Sequence, residues 1–243
     1  MLLRKYFDFL VRPISHVMIF CLVLYAATVY AGKVTDYSCV DEYMRNDDLD
    51  RAEAEIKNIL SKDDKDVVAL TTLCEIYIKK GEKGKALNYI KKAVRSDPLY
   101  PLARFYLGRA YFANGDFDNA AIEFDKYQDM VKVSDLEKDE IEAYVKDLHY
   151  IGHIYLSIKK YSKAYSVISE VLKLSPEDQA ALYNMGIYYY HMHNRPQAYK
   201  YFSKAAEISK TSSVGGKASY AMDYMRSNPD SRFEPDFSFL DSE

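Results

Sequence analysis

The 243 residues are 49% hydrophobic and 28% charged, a balance that excludes wholesale disorder and suits one compact domain or a short repeat array. A formal net charge of −3 with no long basic stripe argues against nucleic-acid binding, because backbone recognition needs clustered Lys and Arg. Tyrosine is abundant, with 24 residues and no tryptophan, and it suits seams that bury a ring and keep its hydroxyl wet.

Residues 1–13 carry Arg4, Lys5 and Arg12 against Asp8. The apolar run from Val17 to Val29 is short for a membrane span, which needs about 20 residues. It suits the core of a secretory signal, with Val29, Tyr30, Ala31 and Gly32 offering a cleavage site. The alternative is a retained anchor over residues 14–34. Positive charge ahead of the run keeps the N-terminus cytoplasmic either way. Both readings of residues 1–31 put the rest of the chain in the periplasm or on the outward face of the inner membrane.

From residue 33 a rhythm takes over. Ala52, Ala86, Ala120, Ala164 and Ala198 recur at intervals of 34, 34, 44 and 34, each inside a short amphipathic stretch. The first unit, 33–66, carries Cys39, Val40, Tyr43, Leu49, Ala52, Ile56 and Ile59 at helical spacing. In the second, 67–100, Leu70, Leu73, Cys74 and Tyr77 form one stripe and Ala86, Leu87, Ile90, Ala93 and Val94 another. Gly81 makes the turn between them and Asp97-Pro98 ends the second helix. Each predicted helix has about 12 to 14 residues, marginal alone and in need of neighbours. The third unit, 101–134, has Leu107, Gly108, Tyr111, Gly115, Phe117, Ala120, Phe124 and Tyr127. Residues 135–144, DLEKDEIEAY, break the phase. Their helical propensity predicts a longer helix, either the one ending near Lys132 or the one starting near Glu140, or else a local bulge. Units 145–178 and 179–212 resume the pattern, and Pro196 fits the first turn of a helix. A capping helix is expected over 213–227, closed by Asn228-Pro229, and residues 228–243 read as an extended acidic, aromatic tail.

These five units resemble the tetratricopeptide repeat. The resemblance implies an all-α fold, a right-handed superhelix of stacked helix–turn–helix repeats whose first helices line a concave groove. Tyr127 departs from the family pattern, which has alanine there, and no proline follows it. On the groove face the resemblance selects Tyr37, Thr71, Glu75, Phe105, Arg109, Phe112, His149, His153, Tyr183, Ile187 and Tyr190 as partner-binding candidates. Aromatics with a single arginine suit a peptide or helix with apolar anchors; the alternative is that the aromatics pack against neighbouring hairpins or the tail. Some family members hold a C-terminal carboxylate with Lys, Arg and Asn. Thr71, Glu75, Phe105 and His149 stand where those residues would be sought, which argues against that mode here.

Cys39 and Cys74 read as two small buried hydrophobes, with a bridge between successive units as the alternative. His149 and His153 share a helix face, but nothing spaced to complete a metal site accompanies them. No hydrolytic motif or phosphate loop is present, and Gly81-Glu82-Lys83-Gly84-Lys85 is a helical turn. No cofactor or metal and no catalysis is expected. The expected function is a non-catalytic protein–protein interaction scaffold, an accessory subunit of a cell-envelope assembly for secretion, pilus or motility, or polymer export. Inner-membrane association accompanies it. A self-assembling structural subunit, or a glycan- or lipid-binding periplasmic module, stay as alternatives.

Overall fold

The computed structural model describes residues 35–228; the leader or anchor and the acidic tail fall on residues outside that range. Among the described residues the chain forms eleven α-helices: α1 Ser38–Arg45, α2 Leu49–Lys62, α3 Val67–Lys79, α4 Lys83–Ser96, α5 Pro101–Ala113, α6 Phe117–Met130, α7 Lys138–Ser157, α8 Tyr161–Leu174, α9 Gln179–His191, α10 Arg195–Ile208 and α11 Ser213–Ser227. The first ten pair as five hairpins stacked in chain order, the third and fourth joined by side chains such as Phe105 on Tyr150 and Tyr155 on Phe124, and α11 closes the array against α9 and α10. The fold is all-α, a stack of helix–turn–helix units.

The two kinds of helix differ because their surroundings differ. Second helices touch the array on one side, so they bury a narrow stripe: Ala52, Ile56 and Ile59 in α2, Ala86, Ile90 and Ala93 in α4, Ala198, Phe202 and Ala205 among those in α10. First helices are covered on most sides. Helix α3 buries Ala69, Leu70, Thr71, Leu73, Cys74, Ile76 and Tyr77, nearly all of its circumference.

Helix starts are fixed by side-chain caps. Asp48, Asp66, Asp116, Asp178, Asn194 and Ser212 each accept a hydrogen bond from a backbone N–H in the first turn. The hairpin turns each contain one residue in the left-handed region: Asp47, Gly81, Gly115, Lys159 and His193, repeating the 34, 34, 44, 34 interval. A single left-handed residue lets the backbone close the helix end and reverse, which glycine does without strain.

The ten inserted residues go to one place. Helix α6 stops at Met130, a short 3-10 turn covers Val133–Asp135, and α7 runs for 20 residues where α3, α5 and α9 have 13. A reciprocal capping box between Glu137 and Glu140 fixes the start of α7. Of the alternatives left open by the sequence, the extension belongs to the first helix of the fourth unit. One expectation needs correction. Cys74 is buried, but Cys39 is exposed and both thiols are free, because Val40 and not its neighbour turns α1 into the core.

Close approach depends on three glycines, the tightest being Gly215, where a Cβ would run into the Ser209 carbonyl oxygen. A Cβ built on Gly108 would lie 2.5 Å from the Phe124 ring, and one on Gly186 2.6 Å from the Phe202 ring. On Gly152 it would lie 3.3 Å from Ile168 Cγ1. Overpacking costs about 1–3 kcal/mol, while alanine returns about 1 kcal/mol of helix propensity. Gly186→Ala is therefore expected to lower stability by roughly 1–2 kcal/mol in urea unfolding, and Gly152→Ala to change it little. Lys159→Gly should raise stability by roughly 1 kcal/mol in the same assay, by relieving a left-handed non-glycine residue.

Candidate functional site

The residues selected for the groove separate into three groups. Phe105, Tyr183, Ile187 and Tyr190 are core, with Phe105 retaining 3% and Tyr183 1% of their exposure. The Phe105 ring packs on Phe124, Tyr127 and Tyr150, and Tyr183 on Phe202. The aromatics that the pattern assigned to an open groove thus fill the seam between hairpins, since each first helix is covered by its own partner and by its neighbours. Phe112 stays half-exposed, against Phe117.

Tyr37, Thr71 and His149 form a second group, at one equivalent place in the first, second and fourth units; Phe105 and Tyr183 hold that place in the third and fifth. The Tyr37 hydroxyl donates to Asp66 Oδ1 at 2.7 Å, and His149 Nε2 lies 2.9 Å from Asp178 Oδ2. Both acceptors lie 29 residues further on, and both aspartates also cap the next first helix. Burial raises the Asp178 carboxyl, but the His149 ring and the Ala181 and Ala180 N–H groups outweigh it and the pKa falls below the ordinary value. These side chains are joints between units. At Thr71 the residue 29 positions on is Tyr100, not an aspartate, and the buried Thr71 Oγ1 makes no hydrogen bond.

The third group centres on Arg109 in α5. Its side chain keeps 18% of its exposure and sits in a frame of rings, with Cζ 4.8 Å from the Tyr150 centroid, 5.0 Å from Tyr106 and 5.8 Å from Phe105. Glu75 in α3 approaches with Oε1 4.0 Å from Arg109 Nη1, while its Oε2 accepts the Tyr106 hydroxyl at 2.6 Å. Asp147 in α7 accepts the Tyr127 hydroxyl. Three consecutive units therefore contribute to one centre: Glu75 from the second, Tyr106, Arg109 and Tyr127 from the third, Asp147 and Tyr150 from the fourth. Arg109 Nε is buried with no hydrogen-bond partner. His153, one turn after His149 on α7, is half-buried.

The electrostatics of the centre follow from burial. Asp147 is pushed up to about 6, chiefly by desolvation, with Glu75 adding to it; the Tyr127 bond and Arg109 pull the other way and lose. Burial and Glu75 hold the Tyr106 hydroxyl protonated far above its usual range. Tyr106, Asp147 and Tyr150 are absent from the sequence selection. Tyr106 and Tyr150 carried a signal: Tyr106 is three residues before Arg109 on the same helix face, and Tyr150 follows it by 44, the interval from Ala120 to Ala164. Among the described residues no group of three His, Cys, Asp or Glu side chains could hold a metal ion, and no helix is long and apolar enough to cross a membrane.

Residues 73–132 and 148–178 match tetratricopeptide-repeat family models. Over those two stretches the chain is similar to tetratricopeptide repeats. It is similar to the BBSome complex member BBS4 of Bos taurus, 26% identical over 163 residues that take in 67% of this chain and 30% of that one. The chain spans less than a third of that relative's length. Among solved structures it resembles MamA (TM-score 0.57, 24% identity, 69% of this chain and 92% of that one). It also resembles YrrB, described as a repeat protein with an unusual peptide-binding site (0.58, 19%, 76% and 88%). A third is PilW, described as a widely conserved type IV pilus biogenesis factor (0.61, 17%, 80% and 93%). At these identities the likeness to solved structures is one of fold.

Asp147 gives the array a pH signature. Its carboxyl ionises near 3.8 when unfolded and at about 6 when folded. The native state holds the proton longer, so this group's contribution to stability is complete below pH 4 and is lost as pH rises through 6. Asp147→Asn keeps an acceptor for Tyr127 and removes the charge. Full conversion of the shift corresponds to about 3 kcal/mol as an upper bound. The variant is expected to be more stable than the parent at pH 7.5 by roughly 1–2 kcal/mol, with the difference vanishing below pH 4 in denaturant titrations.

Proposed function

We propose that this protein is a non-catalytic scaffold that holds a protein partner along its first-helix face, as an accessory subunit of a cell-envelope assembly. The observation that carries the reading is the Arg109 centre. A partly exposed guanidinium, framed by tyrosine rings and drawn from three units at once, is a costly arrangement for a surface with no occupant. Stacked hairpins present such a face as an extended surface, the usual form of protein recognition by repeat arrays. Glu75, Arg109, Phe112 and His153, which all stay partly exposed, are its proposed contacts, while the buried Phe105, Tyr183, Ile187 and Tyr190 shape the wall behind them.

The envelope setting draws on two further supports. Residues 1–31 have the pattern of an export signal or anchor, which would place the array in the periplasm or on the outward face of the inner membrane. The fold is shared with proteins described as a pilus biogenesis factor and as MamA, and over much of this chain's length. Fold likeness supplies the setting by analogy and does not identify the partner.

Affinity capture from the native membranes, with Glu75→Gln and Phe112→Ala as paired variants, is the direct check. Glu75→Gln keeps an acceptor for the Tyr106 hydroxyl and Phe112 is half-exposed, so helicity should be kept and melting change little while partner yield falls at least several-fold. A partner retained in full by both variants would place the contact elsewhere on the array.

A further inference from the structure

We infer that a second docking surface lies at the turns of the fourth and fifth hairpins, and that residues 229–243 of this chain occupy it. The surface shares no residue with the Arg109 centre and goes beyond the groove reading. Its floor is a run of rings across two units. The Tyr165 centroid in α8 lies 5.0 Å from Tyr188 of α9, Tyr188 lies 5.2 Å from Tyr189, and Tyr189 stacks on Tyr201 of α10 at 5.4 Å. Tyr161 stacks on His191 at 5.2 Å. Tyr161 is one turn before Tyr165, and His191 one turn after Tyr188, so this pair extends the same faces. The run is open to solvent in part: Tyr165 keeps 42% of its exposure, and the other five rings are half-buried.

Charge selects the occupant. The whole chain carries −3, yet residues 157–169 and 179–206 contain no Asp or Glu and hold Lys159, Lys160, Lys163, Arg195, Lys200 and Lys204. Lys160 and Lys163 are engaged by Asp118 and Asp125 of the third unit. Lys204 lies over the Tyr201 ring at 5.9 Å, one turn after Lys200. At the other end of the run, burial first, then Lys159 and His193, lower the His191 pKa. Residues 229–243 are the complement: Asp230, Glu234, Asp236, Asp241 and Glu243 against Arg232, with Phe233, Phe237, Phe239 and Leu240 among them. Aromatic anchors set among acids fit a floor of rings edged by cations.

Position supports the same occupant. Arg195, the first residue of α10, donates through Nη2 to the Met225 carbonyl at 2.6 Å and to the Asn228 carbonyl at 3.4 Å. Helix α11 therefore passes the chain on beside the α9–α10 turn, which contains Met192 and His193 and adjoins His191. Residues 229–243 can reach at most about 50 Å, and packed helices lie roughly 8–10 Å apart, so the whole run is within range. A short tether supplies an effective concentration of about 1 mM, so a contact of about 100 μM in trans is about nine-tenths filled in cis.

Two measurements on the full-length protein in mild detergent test this. In the first, Phe237 is replaced by the photoreactive p-benzoylphenylalanine, and the adducts formed on irradiation are mapped by mass spectrometry. Monomer-sized adducts within residues 157–169 or 186–206 are expected. Adducts only elsewhere in the chain, only dimer-sized adducts, or no adduct overturn the inference. In the second, a fluorescent peptide of residues 229–243 is titrated against the parent and against Phe233→Ala/Phe237→Ala/Phe239→Ala, whose substitutions lie outside the described helices. The variant should bind the peptide about ten-fold more tightly than the parent, whose own segment fills the surface. Adding Lys200→Glu and Lys204→Glu to that variant should weaken the peptide several-fold with helicity by circular dichroism unchanged, because both lysines are exposed. Equal binding by the parent and the triple variant, or indifference to the lysine reversal, overturns the inference.

Discussion

A hairpin of two helices with 13 or 14 residues cannot bury both of its faces, and every other feature of this structure answers to that constraint. Each unit must lend one face to the unit before and one to the unit after. First helices become apolar almost all round, as α3 does, and second helices keep a single stripe. The array then ends only where a helix can turn a polar side outward. Helix α11 does this, burying Gly215, Ala218, Ala221 and Met225 while Tyr220 stays largely exposed.

Stacking leaves polar tips stranded at the seams, and tyrosine resolves the problem. Six hydroxyls donate to carboxylates on other helices or loops: Tyr37 to Asp66, Tyr77 to Glu53, Tyr106 to Glu75, Tyr127 to Asp147, Tyr144 to Glu170 and Tyr155 to Asp125. The ring supplies apolar area and the hydroxyl satisfies a partly buried acid. What differs among these acids is the company of cations. Glu53 is bonded by Lys57 and Lys80 besides Tyr77, and its carboxyl is pulled down to about 2. Asp147 has Tyr127 and only the field of Arg109 against its burial, and rises to about 6. The same phenol bond thus serves a strong acid at one seam and a weak one at another. The weak one lies at the proposed binding centre.

The periodic alanines, the glycine turns and the hairpin stripes were legible in the sequence because each reports a local requirement that recurs every unit. Gly81 and Gly115 mark turns openly; Asp47, Lys159 and His193 occupy the same left-handed position without the residue type that announces it. The groove was harder to read. Position on a first helix is readable, but whether a side chain there faces solvent or a neighbouring hairpin depends on the packing between units. Phe105 and Arg109 are one turn apart on the same helix, and one is core while the other is the centre of the site. Tyr37 and His149 looked like ligand contacts because nothing local shows the aspartate 29 residues away that each one reaches.

Two departures from the repeat turn out to be one. Tyr127 stands where the other units have the aliphatic Ile59, Ala93, Val171 and Ala205, and a ten-residue insertion follows its helix. A phenol at that place enlarges the seam and carries a hydroxyl that needs an acceptor. The added turns of α7 supply the filling, and the first turn of the resumed repeat supplies the acceptor. Tyr144, which falls in the inserted stretch, packs 5.8 Å from the Tyr127 ring and is buried, while Asp147 takes the hydroxyl. Two apolar clusters meet at this place: Ala103, Leu107 and Ala110 of α5 belong to the N-terminal one, and Phe105 of the same helix to the C-terminal one. A seam opened by a large ring and refilled by a longer helix leaves aromatic rings and a buried acid around Arg109. An aliphatic side chain at position 127, such as Ile59, Ala93, Val171 and Ala205 supply at the matching places, would have asked for no acceptor there and left the Asp147 carboxyl without its phenol.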